Sequence, residues 1–317
     1  MNKGLYENVL NAMLCMTRQC WEQGIAAQCL LEIDKKDELE LMVYDIVLRQ
    51  SADGRLCNVE NTPAVTDSAF CIPAVLEWGN KTNCKKYQLA AEKNIDFLLN
   101  KAECGQDGTL YHMIHTKEVW ADSAAFLPYA LAKAGYISEA FVQMKGICKR
   151  LYDEETGLFF HMWDDEKNDY IRALPWGIGN GWILTGMLRL YLEVPETYKE
   201  ERAEIRNQIC RLLNNLLVYE TEDHRFYDVL NDECTFKESE TSAMIAYTIY
   251  RGINEGILDE KYRKRADDIR MALYDNVSEE GLVYGAASSP DFIKSGTSVE
   301  CQAHFLMMEY WADKISG

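Results

Sequence analysis

Asp67-Ser68-Ala69-Phe70-Cys71-Ile72 and Asp122-Ser123-Ala124-Ala125-Phe126-Leu127 carry one pattern. An acidic residue and a serine precede a run that is apolar on nearly every helical face. Glu240-Thr241-Ser242-Ala243 repeats it more loosely, and the run from Asn180 (Ile183, Leu184, Met187, Leu188, Tyr191) is apolar at the same spacing. A helix apolar all round is buried on all sides, and an amphipathic one covers it. The charged segments 198–217 and 260–275 are of the second kind.

A second motif keeps the same rhythm. Asp53-Gly54-Arg55-Leu56, Asp107-Gly108-Thr109-Leu110-Tyr111-His112, Thr156-Gly157-Leu158-Phe159-Phe160-His161 and Glu280-Gly281-Leu282-Val283-Tyr284 are turns leading into apolar residues. Asp223-His224-Arg225-Phe226-Tyr227 is a degenerate copy. The repeat, roughly 50 to 65 residues, is longer than that of the common helical solenoids. Each unit is two helices and one long return loop. Start signals and apolar spacing predict helices over 3–17, 20–33, 37–51, 67–79, 84–101, 121–135, 137–152, 180–193, 198–217, 239–255, 260–275 and 297–314. Strand-like pieces at 109–113 and 158–163 are confined to loops. Twelve helices in buried and covering pairs predict an all-α (α/α)6 barrel, with inner and outer rings of six. No composition shift marks a boundary, so one domain over 1–317 is expected.

Composition sets outer bounds. The formal charge of −18 argues against nucleic acid or an anionic membrane as a partner. No apolar run is long enough for a membrane span. The first residues lack the basic and apolar blocks of a signal peptide. Eleven cysteines without a CxxC pair suit a reducing compartment, so a cytoplasmic location is expected and neither metal nor cofactor is predicted. Cys15, Cys20, Cys29, Cys148 and Cys210 fall in apolar helical contexts and read as core.

In a paired ring the inner helices run the same way, so their N-termini share one mouth. Asp67, Asp122, Glu240 and the run Trp176-Gly177-Ile178-Gly179-Asn180-Gly181-Trp182 all open inner helices. The return loops bring His112, His115, His161 and Trp163 to the same end. Carboxylates, imidazoles, flat indoles and one amide make a carbohydrate pocket. Each has a plainer reading: Asp67 and Asp122 as N-caps, Asn180 as a helix cap, Trp120 and Trp163 as packing.

Five stretches carry a family resemblance: Trp21-Glu22-Gln23-Gly24, Val119-Trp120-Ala121-Asp122, His161-Met162-Trp163-Asp164, Trp176 to Trp182, and Glu240-Thr241-Ser242-Ala243 with Tyr247. In this order the chain resembles the unsaturated uronyl hydrolases of glycoside hydrolase families 88 and 105, six-hairpin glycosidases that share the (α/α)6 barrel. The resemblance implies a small unsaturated oligosaccharide as substrate. It also implies acid-catalysed hydration of the C4=C5 vinyl ether that polysaccharide lyases leave on a terminal uronic acid. Asp122 matches the family's acid/base residue and Asp67 its second aspartate. His112, His161, Trp163, Trp176, Asn180, Trp182, Trp21 and Trp120 match substrate-binding positions.

A general acid at neutral pH needs a raised pKa. Indoles around Asp122 and repulsion from Asp67 are expected to overcome the helix dipole and keep Asp122 protonated. One position departs from the pattern: many relatives have Arg where Ile178 stands. Recognition of the substrate carboxylate then falls to Arg172, Arg251, Lys294 or hydroxyl side chains. An (α/α)6 enzyme acting on saturated glycosides with two carboxylates, and a non-catalytic sugar-binding helical protein, are the alternatives.

Overall fold

The return loops show why the sequence repeats. In a computed structural model describing residues 3–58, 62–289 and 292–316, Gly54, Gly108, Gly157 and Gly281 all have φ between 69° and 110°. Left-handed backbone of this kind suits glycine. The degenerate copy places His224 there at φ 59°. Two residues beyond each glycine, a backbone N–H is received by an amide side chain from a helix: Leu56 by Asn94, Leu110 by Gln143, Phe159 by Asn180 and Val283 by Gln302, at 2.6–2.9 Å. Each loop is thus pinned to the helices by the same device.

Twelve α-helices are described: α1 (Lys3–Met16), α2 (Cys20–Glu32), α3 (Lys36–Leu48), α4 (Ile72–Lys81), α5 (Lys85–Asn100), α6 (Ser123–Lys133), α7 (Ile137–Leu151), α8 (Gly177–Glu193), α9 (Lys199–Leu217), α10 (Ser239–Asn254), α11 (Arg263–Leu273) and α12 (Val299–Ser316). A single tight helical turn, Asp67–Cys71, leads into α4, where Pro73 takes an early position that needs no N–H partner. Even-numbered helices form the inner ring. Each packs on the next, and α12 returns to α2 to close it. The odd-numbered helices lie outside. The structure is an (α/α)6 barrel.

Packing explains the contrast in composition. Inner α8 is buried from Gly177 through Leu190, whereas outer α9 buries only Ile205, Ile209, Leu212, Leu213 and Leu216 along one stripe. Small residues let inner helices approach closely. A Cβ on Gly186 of α8 would sit 2.2 Å from the carbonyl oxygen of Ala124 on α6. All eleven cysteines are free; Cys20 and Cys29 are buried as expected, but Cys15 is exposed and Cys148 and Cys210 are half-buried. Among the described residues no helix is long and apolar enough to cross a membrane.

Between α5 and α8 the loops form a three-stranded antiparallel sheet of β1 (Glu118–Trp120), β2 (Met162–Asp164) and β3 (Asp169–Arg172). The expected strand at 109–113 is instead an irregular loop with two isolated bridges, from Leu110 to Cys104 and from Met113 to Ala64. The sheet flanks one end of the barrel and hangs three side chains over it: Trp120, Met162 and Arg172.

Candidate active site

All six inner helices deliver a side chain from their N-terminal end to one cavity of about 260 Å³. Trp21, Asp67, Asp122, Ile178, Glu240 and Glu300 line it in ring order. Phe126 and Trp182 reach it from one turn deeper, packing edge to face at 5.7 Å. The loops add His112, Trp120, His161, Met162, Arg172, Trp176 and Phe292. Asp67 and Asp122 therefore face one aromatic-walled opening.

Neither aspartate is used as a helix cap. Asp122 occupies the N-cap position of α6, yet its side chain caps nothing. Its Oδ2 lies 3.2 Å from Nε2 of His161. Nη1 of Arg172 lies 3.3 Å from Nδ1 of the same ring. Arginine can only donate, so Nδ1 accepts and the proton sits on Nε2, which donates to Asp122. The result is a directed line from Arg172 through His161 to Asp122.

Asp67 has a different neighbour. Nε2 of His112 stands 3.7 Å from its Oδ1. The other nitrogen, Nδ1, is held by Thr66 Oγ1 at 2.7 Å and Ser123 Oγ at 3.1 Å. The His112 ring stacks on Trp120 at 4.1 Å. Burial pushes His112 down to about 4, so at neutral pH it is uncharged and does not offset the Asp67 charge.

These surroundings push the two carboxyls apart. Burial, and next the charge of Asp122, raises Asp67 to about 7. Burial is the largest influence on Asp122 and works to raise it, but the hydrogen bond and charge of His161, with smaller contributions from His112 and a backbone N–H, together leave this carboxyl below its usual value. The expectation that Asp122 holds the proton is therefore reversed. In the resting site the proton belongs to Asp67, because His161 stabilises the Asp122 anion and uncharged His112 does nothing comparable for Asp67.

An acidic wall faces this pair. Trp21 Nε1 donates to Glu300 Oε1 at 2.6 Å, and Ser298 donates to Glu240 Oε2 at 3.1 Å. Burial, then the Glu22 charge, raises Glu300 to about 7. Burial, then the charges of Glu300 and Glu238, lifts Glu240 well above its usual value. Near neutrality this wall is only partly ionised and offers carboxyl groups to sugar hydroxyls. The other oxygen of Glu240 is buried with no hydrogen-bond partner.

Three expected site residues lie elsewhere. Asn180 is fully buried and outside the cavity wall. Its amide receives the Phe159 N–H and donates to the Phe159 and Trp176 carbonyls, each at 2.9 Å. It anchors a return loop, as Asn94, Gln143 and Gln302 do in theirs. Trp163 is excluded by strand alternation. Met162 faces the cavity, so the next side chain points away, where its Nε1 donates to Asp165 at 2.8 Å and its ring packs on Tyr170 at 4.9 Å. His115 is exposed. Trp21, Trp120, Trp176, Trp182, His112 and His161 stand on the wall as expected. Sequence reading missed Glu300, Phe292 and Met162 there. Among the described residues, no group of three or more His, Cys, Asp or Glu side chains is arranged to hold a metal ion.

Known proteins share this architecture. The model of Glycosyl Hydrolase Family 88 matches residues 6–308. The unsaturated rhamnogalacturonyl hydrolase YesR of Bacillus subtilis is 23% identical over 310 residues, covering 93% of this chain and 87% of that protein. A solved structure described as a possible member of family GH105 from Salmonella enterica aligns at a TM-score of 0.86 and 17% identity, over 99% of this chain and 94% of that one. The unsaturated glucuronyl hydrolase of Bacillus sp. GL1, responsible for glycosaminoglycan degradation, aligns at 0.68 and 15% identity, over 90% and 82%. The two structural likenesses identify the fold, and the family match over nearly the whole chain identifies the lineage: this protein is a glycoside hydrolase and belongs to glycosyl hydrolase family 88.

Proposed function

We propose that the protein releases a terminal 4,5-unsaturated uronic acid from short oligosaccharides by hydrating the C4=C5 vinyl ether. One observation carries the reading: two aspartates of opposite protonation preference, Asp67 buried and Asp122 partly buried, share an aromatic cavity. The B. subtilis relative, an unsaturated rhamnogalacturonyl hydrolase, supports the substrate class.

The chemistry needs an acid for C4 and a base for water. Asp67 gives its proton to C4, and positive charge develops at C5 and the ring oxygen. Water adds at C5, and the Asp122 carboxylate takes its surplus proton. The C5 hemiketal opens by cleavage of C5–O5. That leaves C1 as a hemiacetal of the departing sugar, which collapses to an aldehyde and a free hydroxyl. Return of the proton from Asp122 to Asp67 resets the pair. Helix N-termini and the His161 hydrogen bond favour the Asp122 anion at rest. Trp120, Trp176 and Trp182 supply flat surface for the ring.

The test uses an unsaturated disaccharide made by a lyase. Hydration makes the ultraviolet absorbance of the double bond vanish at the rate at which the leaving sugar forms. Sugar release with the absorbance intact would assign conventional hydrolysis of the glycosidic bond instead.

A further inference from the structure

Among the described residues the cavity wall holds four carboxyl groups and one permanent cation, Arg172. This residue ends β3, opposite Met162 of β2. Its guanidinium lies 5.5 Å from the centre of the Trp176 ring, within cation–π range. One of its five N–H donors is engaged by His161. Among the described residues no carboxylate forms an ion pair with it. Asp228 feels its charge, but burial raises the Asp228 carboxyl, which accepts instead from Trp176 Nε1 at 2.9 Å. The other cations suggested by the sequence are not available. Arg251 is paired with Glu32 at 2.7 Å and bonded to Tyr247, and Lys294 is exposed and off the cavity wall.

A half-buried guanidinium with spare donors is a fork for a planar anion. We propose that Arg172 binds the carboxylate of the unsaturated uronate and sets the preference for the free acid over neutral substrates. This rests on the reading of the site as a hydrating uronyl hydrolase. The geometry agrees with the division of roles above. The carboxylate is attached to C5, and Arg172 is joined to Asp122 through one imidazole. Anchoring the carboxylate on Arg172 therefore brings C5, where water adds, beside the Asp122 base. It leaves C4 toward Asp67. It also explains how the site manages with Ile178, which has no donor to offer.

The test compares a lyase-made unsaturated disaccharide with its methyl ester, in wild type, Arg172→Gln and Arg172→Lys. Wild type is expected to favour the acid. In Arg172→Gln, kcat/KM for the acid falls about 10-fold or more beyond the loss on the ester, mainly through KM, because the lost fork acts on the acid alone whereas weakened support of His161 acts on both substrates. Arg172→Lys recovers part of the preference, because it restores the charge without the fork. Equal losses on acid and ester, carried by kcat, would mean that Arg172 only positions His161 and would overturn the proposal. So would an undiminished acid preference in Arg172→Gln. A wild type that consumes neither compound would overturn the underlying hydration reading, and this proposal with it.

Discussion

His161 donates from Nε2 to Asp122 Oδ2 across 3.2 Å, and it is this bond that separates the two aspartates. Without His161, burial of Asp122 is opposed only by the smaller contributions of His112 and a backbone N–H, and its pKa rises. His161→Ala is therefore expected to lower kcat/KM about 10- to 100-fold, the worth of a hydrogen bond to a charged group. An acid limb should also move up into the measurable range of the pH profile. Loss of activity with no movement of that limb would show that His161 does not act through Asp122.

Asn180 makes a contrasting prediction. It joins the start of α8 to the Thr156–His161 loop through two hydrogen bonds with Phe159 and ties the Trp176 carbonyl at the head of its own helix through a third. Asn180→Ala leaves buried backbone groups unpaired and should destabilise the protein by about 2–4 kcal/mol, read by denaturant unfolding. At low temperature the folded variant should keep KM close to wild type. A raised KM with unchanged stability would instead give Asn180 a direct contact with sugar.

Stability should fall as the solution becomes alkaline. Burial raises Asp67, Glu238 and Glu300 to about 7, and Glu240 well above its usual value. The folded chain then holds protons that the unfolded chain has already released, so rising pH favours unfolding. Two buried histidines oppose this at lower pH: His112, pushed down to about 4, and His304, pushed well below its usual value. Their contribution ends once the unfolded histidines lose their protons, near pH 6.5. From about pH 6.5 to 8.5 each carboxyl near 7 lowers the unfolding free energy by about 1 kcal/mol and Glu240 adds to this, against the opposing pull of the Cys57 thiol, which hydrogen bonds with Cys20 and Cys71 hold low, so the net change should be a drop of a few kcal/mol. Denaturant titrations at the two ends check this; constant or increasing stability would contradict it.

The barrel was legible because its evidence is periodic. Twelve apolar spacings and five turn signals fix the helix pairs to within a few residues, and the shared direction of inner helices puts Asp67 and Asp122 at one mouth. Inner helices α2 and α12 were harder to recognise. They bury Glu22, Gln23, Gln28, Glu300, Gln302, His304 and Glu309, polar residues that hide the pattern of a buried helix. Glu300 was missed for that reason. Asn180 misled because an amide among glycines and indoles matches a sugar site; its equivalence to Asn94, Gln143 and Gln302 was the signal against it. Trp163 could have been rejected from strand alternation had β2 been placed at Met162–Asp164. Protonation was the least legible, since it depends on a tautomer that Arg172 imposes on His161 from another strand.

The most direct test of the central claim is the pH dependence of kcat/KM on an unsaturated disaccharide for wild type, Asp67→Asn and Asp122→Asn. Wild type should lose activity through an alkaline limb near 7, where Asp67 gives up its proton. Both variants should fall by about 10²- to 10⁴-fold, as expected for loss of an acid or a base. The residual activity of Asp67→Asn should lack the alkaline limb. Persistence of that limb in Asp67→Asn, with its disappearance in Asp122→Asn, would give the proton to Asp122 and contradict the account.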